Sequence, residues 1–291
     1  RYPTYSVYQQ MMRNFVTNYP SLCKLDTILN STVDGRQLLV LKISDNVAAR
    51  EDEPRYLFKA AMHGDETTGY ILLLRLADYL LSNYGTNTRI TNLVNNMEIW
   101  LCPLANPDGT FNSGDNTIGS DPVSIRYNGN SVDLNRNYRD PLDGDHPDGN
   151  AWQPETQAFM ALAAEQHFNM GGSFHGGAEV MNYPWDTWTT SGNPNADATW
   201  WERICKMYVD TSRLVDATYL SDTYSDGVTE GGDWYVITGG VQDYMNYFQY
   251  CRMVTLEVDG TKTTGTENLN AAWNRDYRAM LNMLQESLYG L

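Results

Sequence analysis

The chain has 291 residues, 42% of them hydrophobic and 19% charged, enough for one large domain to bury its own core without help from metal or disulfides. A formal net charge of -16 argues against a nucleic-acid partner, because binding a phosphate backbone needs clustered Lys and Arg. No run approaches the roughly 18 apolar residues of a membrane span; the apolar stretch 70–74 is broken by Arg75 and Asp78.

The first residue is Arg1 and not Met, which fits a cleaved leader or a trimmed terminus equally well. Residues 25–33 and 37–43 flank Asp34-Gly35, a dipeptide suited to the positive φ of a tight turn, and predict a hairpin. Short apolar runs at 56–61, 97–103, 171–174 and 253–258 alternate with helical patterns at 66–84, 154–168 and 198–215, the rhythm of an α/β layered sheet. Segments 112–130 and 140–150, rich in Gly, Asn and Asp, read as long surface loops within one domain. In such sheets functional groups gather beyond the carboxyl ends of the strands. Those positions hold His63, Asn106, His175 and, within the last run, Glu257.

Cys23, Cys102, Cys205 and Cys251 show no C-x-x-C spacing, which argues against zinc-thiolate chemistry. Cys102, inside an apolar run, reads as a small buried hydrophobe, and the other three are candidates for a bridge. Of the four histidines, His63 opens Gly64-Asp65-Glu66 at a strand-to-helix junction. A His and a Glu three residues apart across such a turn can offer an imidazole nitrogen and a carboxylate oxygen to one zinc ion, and His175 supplies a third ligand while a fourth position stays open to water. His146, in a loop, and His167, near a helix end, read as ordinary polar residues.

The segments His63-Gly64-Asp65-Glu66, Asn106-Pro107-Asp108-Gly109, Asp133-Leu134-Asn135-Arg136-Asn137, His175-Gly176-Gly177, Asn182-Tyr183-Pro184, Gly240-Val241-Gln242-Asp243 and Thr255-Leu256-Glu257 together resemble the zinc carboxypeptidases of the A/B superfamily, specifically their N/E branch. The resemblance runs over nearly the whole chain. It implies a mixed, mostly parallel sheet of about eight strands with helices on both faces, and one zinc ion held by His63, Glu66 and His175. It also implies action on peptide or protein C-termini in a secreted or periplasmic setting.

By match to the family's motifs, Asp133 orients His63, as a carboxylate fixing the tautomer of a metal-bound imidazole. Glu257 corresponds to the general base that later becomes the general acid; in an otherwise apolar run it would be costly without such a task. Arg136 and Asn135 match the residues that grip a free C-terminal carboxylate, for which a planar guanidinium suits both oxygens. Arg126 matches the arginine that stabilises the developing oxyanion, and Tyr235 the tyrosine that closes over the substrate. Asp186, with Gln242 at the base of the same pocket, implies a preference for C-terminal Lys or Arg by charge complementarity.

Three positions depart from the branch pattern: Asp65 stands for Asn, Ala178 for Ser, and Leu104-Ala105 for an aliphatic pair before Asn106. The helical stretch 271–288 ends near where branch members begin a transthyretin-like domain, so the expectation is one catalytic domain over 1–291 without that addition. Two rival readings share these residues. One is a peptidoglycan stem-peptide hydrolase, suggested by a bacterial-type sequence rich in Asn, Gly and Tyr; the other is a binding module of the kind found where catalytic groups are lost.

Overall fold

The computed structural model describes residues 1–290. Among these, eight strands form one sheet: β1 (Cys23–Leu29), β2 (Leu38–Ile43), β3 (Arg55–Ala60), β4 (Glu98–Cys102), β5 (Met170–His175), β6 (Ala178–Tyr183), β7 (Val228–Glu230) and β8 (Arg252–Asp259). They lie in the order β1-β2-β4-β3-β5-β8-β6-β7. The block β4-β3-β5-β8 is parallel, as is the β6/β7 pair, while β1/β2, β2/β4 and β6/β8 are antiparallel. The expected mixed, mostly parallel sheet of eight strands is the one observed.

Helices cover both faces, which is why β2, β3 and β5 are buried at every position instead of alternating in and out. One core joins the sheet to α1 (Tyr5–Asn18), α2 (Thr68–Asn83), α3 (Thr88–Val94), α6 (Ala198–Arg213) and α9 (Leu269–Tyr289); it takes Leu39, Leu41 and Ile43 from β2. The other takes Leu38 and Val40, and packs them with α5 (Pro154–Gln166) and α8 (Val241–Phe248). Two short helices, α4 (Pro107–Thr110) and α7 (Gly231–Trp234), follow the carboxyl ends of β4 and β7.

The hairpin forms, with Gly35 at φ 85°, but its first arm stops at Leu29 and not at Val33. Beyond it, Thr32 Oγ1 donates to Asp108 Oδ1 at 2.8 Å and the Asp34 amide to Asp108 Oδ2 at 3.0 Å, so the chain leaves the ladder to satisfy a buried carboxylate. Helix α2 begins two residues after Glu66, which is held in a turn by its amide's bond to the His63 carbonyl at 3.1 Å. All four cysteines are free and buried: Cys102 packs as expected, and no bridge forms among the other three.

Lys59 of β3 is fully buried, with Nζ 3.2 Å from the Tyr138 hydroxyl and 4.1 Å from the Phe159 ring centre. Burial pulls its pKa down to about 7, whereas in the unfolded chain it is near 10.4. Between those values the unfolded chain binds more protons, so this residue's contribution to stability rises with pH across that window. Lys59→Met is therefore expected to raise the urea midpoint at pH 7, by a few kcal/mol in the stability it implies, and to lose most of that advantage by pH 10. An equal difference at both pH values would contradict this account.

Candidate active site

His63 follows β3, Glu66 closes the turn into α2, and His175 ends β5. A Cβ on Gly64 would overlap the Gly109 and Thr110 backbone, so only glycine lets the His63–Glu66 turn press this close to α4. The three side chains converge: Nδ1 of His63 and Nδ1 of His175 are 3.1 Å apart, and each is 2.9 Å from Glu66 Oε2. All three residues are buried.

The surrounding bonds aim these atoms inward. His63 Nε2 lies 3.2 Å from Asp133 Oδ1, and His175 Nε2 lies 3.2 Å from Ser173 Oγ. The Gly176 amide donates to Glu66 Oε2 at 3.2 Å. Burial would lower the pKa of His63, but Glu66 and Asp133 outweigh it and the net shift is upward. Burial takes His175 down to about 4, so the two facing imidazoles are not both cations near neutral pH. Glu66 stays ionised: burial works against its charge, and the two imidazoles more than offset it.

Two imidazole nitrogens and a carboxylate oxygen aimed at one point are a donor set for zinc, whose bonds of about 2.0–2.2 Å at tetrahedral angles separate ligand atoms by roughly 3.4 Å. The observed triangle is a few tenths of an ångström tighter, and a cation fits with little movement.

Around this triangle lies a cavity of about 200 Å³ whose walls include Arg126, Asn135, Asp186, Tyr235 and Glu257. Besides its contact with His63, Asp133 carries two further loads, accepting from Arg126 Nε at 2.8 Å through Oδ2 and from the Asn135 amide at 2.9 Å through Oδ1. Despite its burial, its pKa is depressed by His63 and Arg126. Arg126 Nη1 is 3.7 Å from Glu66 Oε1. Asn135 Oδ1 accepts from the Val241 amide at 2.9 Å, which fixes the amide plane at the cavity wall.

Glu257 projects from β8 beside His175, its partner in the parallel ladder. It is 8% exposed and its Oε2 has no hydrogen-bond partner. Burial, reinforced by Glu66, pushes its pKa well above the carboxylate range against the pull of Arg126 and Lys262.

Asp186 is 6% exposed, and its Oδ1 accepts from Gln242 Nε2 at 2.8 Å. A Cβ on Gly231 would overlap that same oxygen, so glycine there leaves Asp186 open to the cavity. Behind it, Asp243 accepts from the Asp186 and Thr187 amides at 2.8–3.0 Å. Burial and then Asp243 raise the Asp186 pKa well above its ordinary value.

Three of the site residues assigned from sequence do not line the cavity: Asp133, Gln242 and Arg136. Gln242 acts through its bond to Asp186, and half-buried Arg136, whose Nη1 donates to the Asn135 carbonyl at 2.8 Å, is close enough to Asp186 and Tyr235 to influence their charge. Asn106 is not a cavity residue either; its Nδ2 donates to the Met62, Arg126 and Tyr127 carbonyls at 3.1–3.4 Å and ties the site's loops together. His146 pairs with Trp152 and His167 caps α5. Sequence reasoning did not single out Ser173, whose signal is its place two residues before His175 on the same strand face, nor Lys262 and Gly231, and it gave no role to Asn182 and Thr255; the last four line the cavity.

The chain matches the zinc carboxypeptidase family over residues 8–279. It belongs to that family. A zinc carboxypeptidase of the N/E branch is also what the sequence neighbours describe. The chain is 33% identical to carboxypeptidase D of Rattus norvegicus over 96% of its own length and 21% of that protein's. It is 30% identical to carboxypeptidase M of Mus musculus, over 97% and 65%. It thus spans about a fifth of the length of the carboxypeptidase D relatives. In fold, the crystal structure of carboxypeptidase A from Helicoverpa armigera superposes with a TM-score of 0.76 at 18% identity, covering 98% of this chain and 73% of that one. Zinc is the catalytic metal of the family, and the triangle of His63, Glu66 and His175 suits it. Among the described residues no helix is long and apolar enough to cross a membrane.

Proposed function

We propose that this chain is a zinc-dependent exopeptidase that hydrolyses the last bond of a peptide and favours C-terminal Lys or Arg. One observation carries the reading: a single cavity joins the His63–Glu66–His175 triangle, an unpartnered Glu257 carboxylate and a buried Asp186. A protein that only bound peptides would have no use for a desolvated carboxylate beside a metal-binding set.

In this reading His63, Glu66 and His175 hold the zinc ion, which when bound supplies a Lewis acid that polarises the scissile carbonyl and makes water a better nucleophile. Glu257, its pKa raised by burial, takes a proton from the attacking water and passes it to the departing amine. Arg126, steadied by Asp133, offers fixed positive charge to the oxyanion. Asn135 and Arg136 bind the terminal carboxylate, Tyr235 closes over it, and Asp186 with Gln242 receives a basic side chain at the pocket's end. Residues 1–291 act as one catalytic domain. The setting is secreted or periplasmic, and the four buried thiols would be protected from oxidation there.

The test is release of the terminal amino acid from matched peptides ending in Arg, Phe or Glu, with chelator and after zinc is restored. Release that favours Arg, stops on chelation and returns with zinc is the expected result. Phe favoured over Arg would overturn the Asp186 assignment, and no release from any peptide would overturn the exopeptidase reading.

A further inference from the structure

The cavity has a direction that strand register makes explicit. On β6 and β8, Asn182 pairs with Thr255, Val180 with Glu257 and Ala178 with Asp259, while His175 of β5 pairs with Glu257. Successive pairs on this face are about 7 Å apart. At the lower level lie Asn182 and Thr255, with Asp186 and Gly231 next to them; Asn182 Oδ1 is 3.3 Å from where a Gly231 Cβ would stand. His175 and Glu257 form the middle level. Gly176, Gly177, Ala178 and Lys262 form the upper one.

If the terminal side chain lies toward Asp186 and the scissile bond at the middle level, the residue on the amino side of that bond must pass the upper level. This step rests on the exopeptidase reading above. The one cation at that level among the described cavity-lining residues is Lys262, whose side chain is 42% exposed. Its stem lies against Gly177, with Cγ 3.4 Å from where a Cβ would be. Its Nζ donates to Asp65 Oδ2 at 3.0 Å and stands 3.6 Å from Glu66 Oε1, beyond hydrogen-bond range. An ammonium has three N–H donors, so Asp65 positions the cation and consumes only one of them.

We propose that Lys262 is a specificity-determining residue that reads the side chain on the amino side of the scissile bond and selects Asp or Glu there. Combined with Asp186 at the opposite end, it makes the preferred substrate dipolar: an acidic residue followed by a terminal basic one. The departure at Asp65 belongs to this device, since a buried carboxylate anchors the ammonium more firmly than the usual amide would.

The experiment compares kcat/KM of the zinc-loaded full chain on N-terminally blocked peptides ending Glu-Arg, Gln-Arg and Lys-Arg. Glu-Arg is expected to exceed Lys-Arg about three- to fivefold, the range of a partly exposed ion pair, and the ratio should shrink as salt rises. Lys262→Met should bring the ratio near one, Lys262→Arg should keep it, and Lys262→Glu should reverse it. Equal rates on Glu-Arg and Lys-Arg, or a ratio that survives Lys262→Met, would overturn the role of Lys262 alone. Absence of release from all three peptides would instead overturn the exopeptidase reading, and this proposal with it.

Discussion

Glu257→Gln is expected to lower kcat by about a hundred- to ten-thousandfold, the span that a positioned general acid–base contributes, while zinc stoichiometry stays at one per chain. The amide keeps the shape of the side chain but accepts no proton at neutral pH. The same change should leave stability equal or raise it. The carboxylate is buried beside Glu66 with an oxygen that lacks a partner, and a folded-state pKa raised above the unfolded value means that ionisation costs stability as pH climbs past the ordinary carboxylate range. A variant that loses turnover and also melts earlier at neutral pH would show that the residue is a structural ion-pair member.

Asp186→Ala is expected to reduce kcat/KM for C-terminal Arg by about thirty- to thousandfold, because truncating one partner of a buried charge pair costs roughly 2–4 kcal/mol. C-terminal Phe should be far less affected. Wild type carries a pH signature of the same residue. Its carboxyl is pushed up by burial and by Asp243, so as pH falls through that raised value Asp186 becomes neutral while the Arg substrate stays charged. The Arg-to-Phe ratio should decline toward acid in wild type and stay flat in Asp186→Ala. A ratio independent of pH in both proteins would remove Asp186 from specificity.

Much of the site was legible because its chemistry is concentrated at the ends of apolar runs. His63 and His175 are two of only four histidines, and each sits where a buried strand gives way to a turn. Other parts depend on contacts with no local signal. Lys262 meets Asp65 across 197 residues of chain. Strand β6 was hidden because its first two residues are half-buried and the next four fully buried, a pattern neither alternating nor uniformly apolar. Helix α1 buries Tyr5, Tyr8, Met12 and Phe15, a period of three to four that was there to read in Tyr5–Asn18.

The position of β8 fixes how the molecule can move while it works. Glu257 is laddered on both sides, to β5 and to β6, and His175 is joined to that same rigid block. Tyr235, by contrast, is 48% exposed and lies between α7 and α8, outside the sheet. If Tyr235 closes over the substrate as proposed, the motion that accompanies turnover is expected in that residue and its loop, which turns a mechanical division into a kinetic one. Added viscogen should slow the steps that open and close the mouth and leave the bond-breaking step at its own pace.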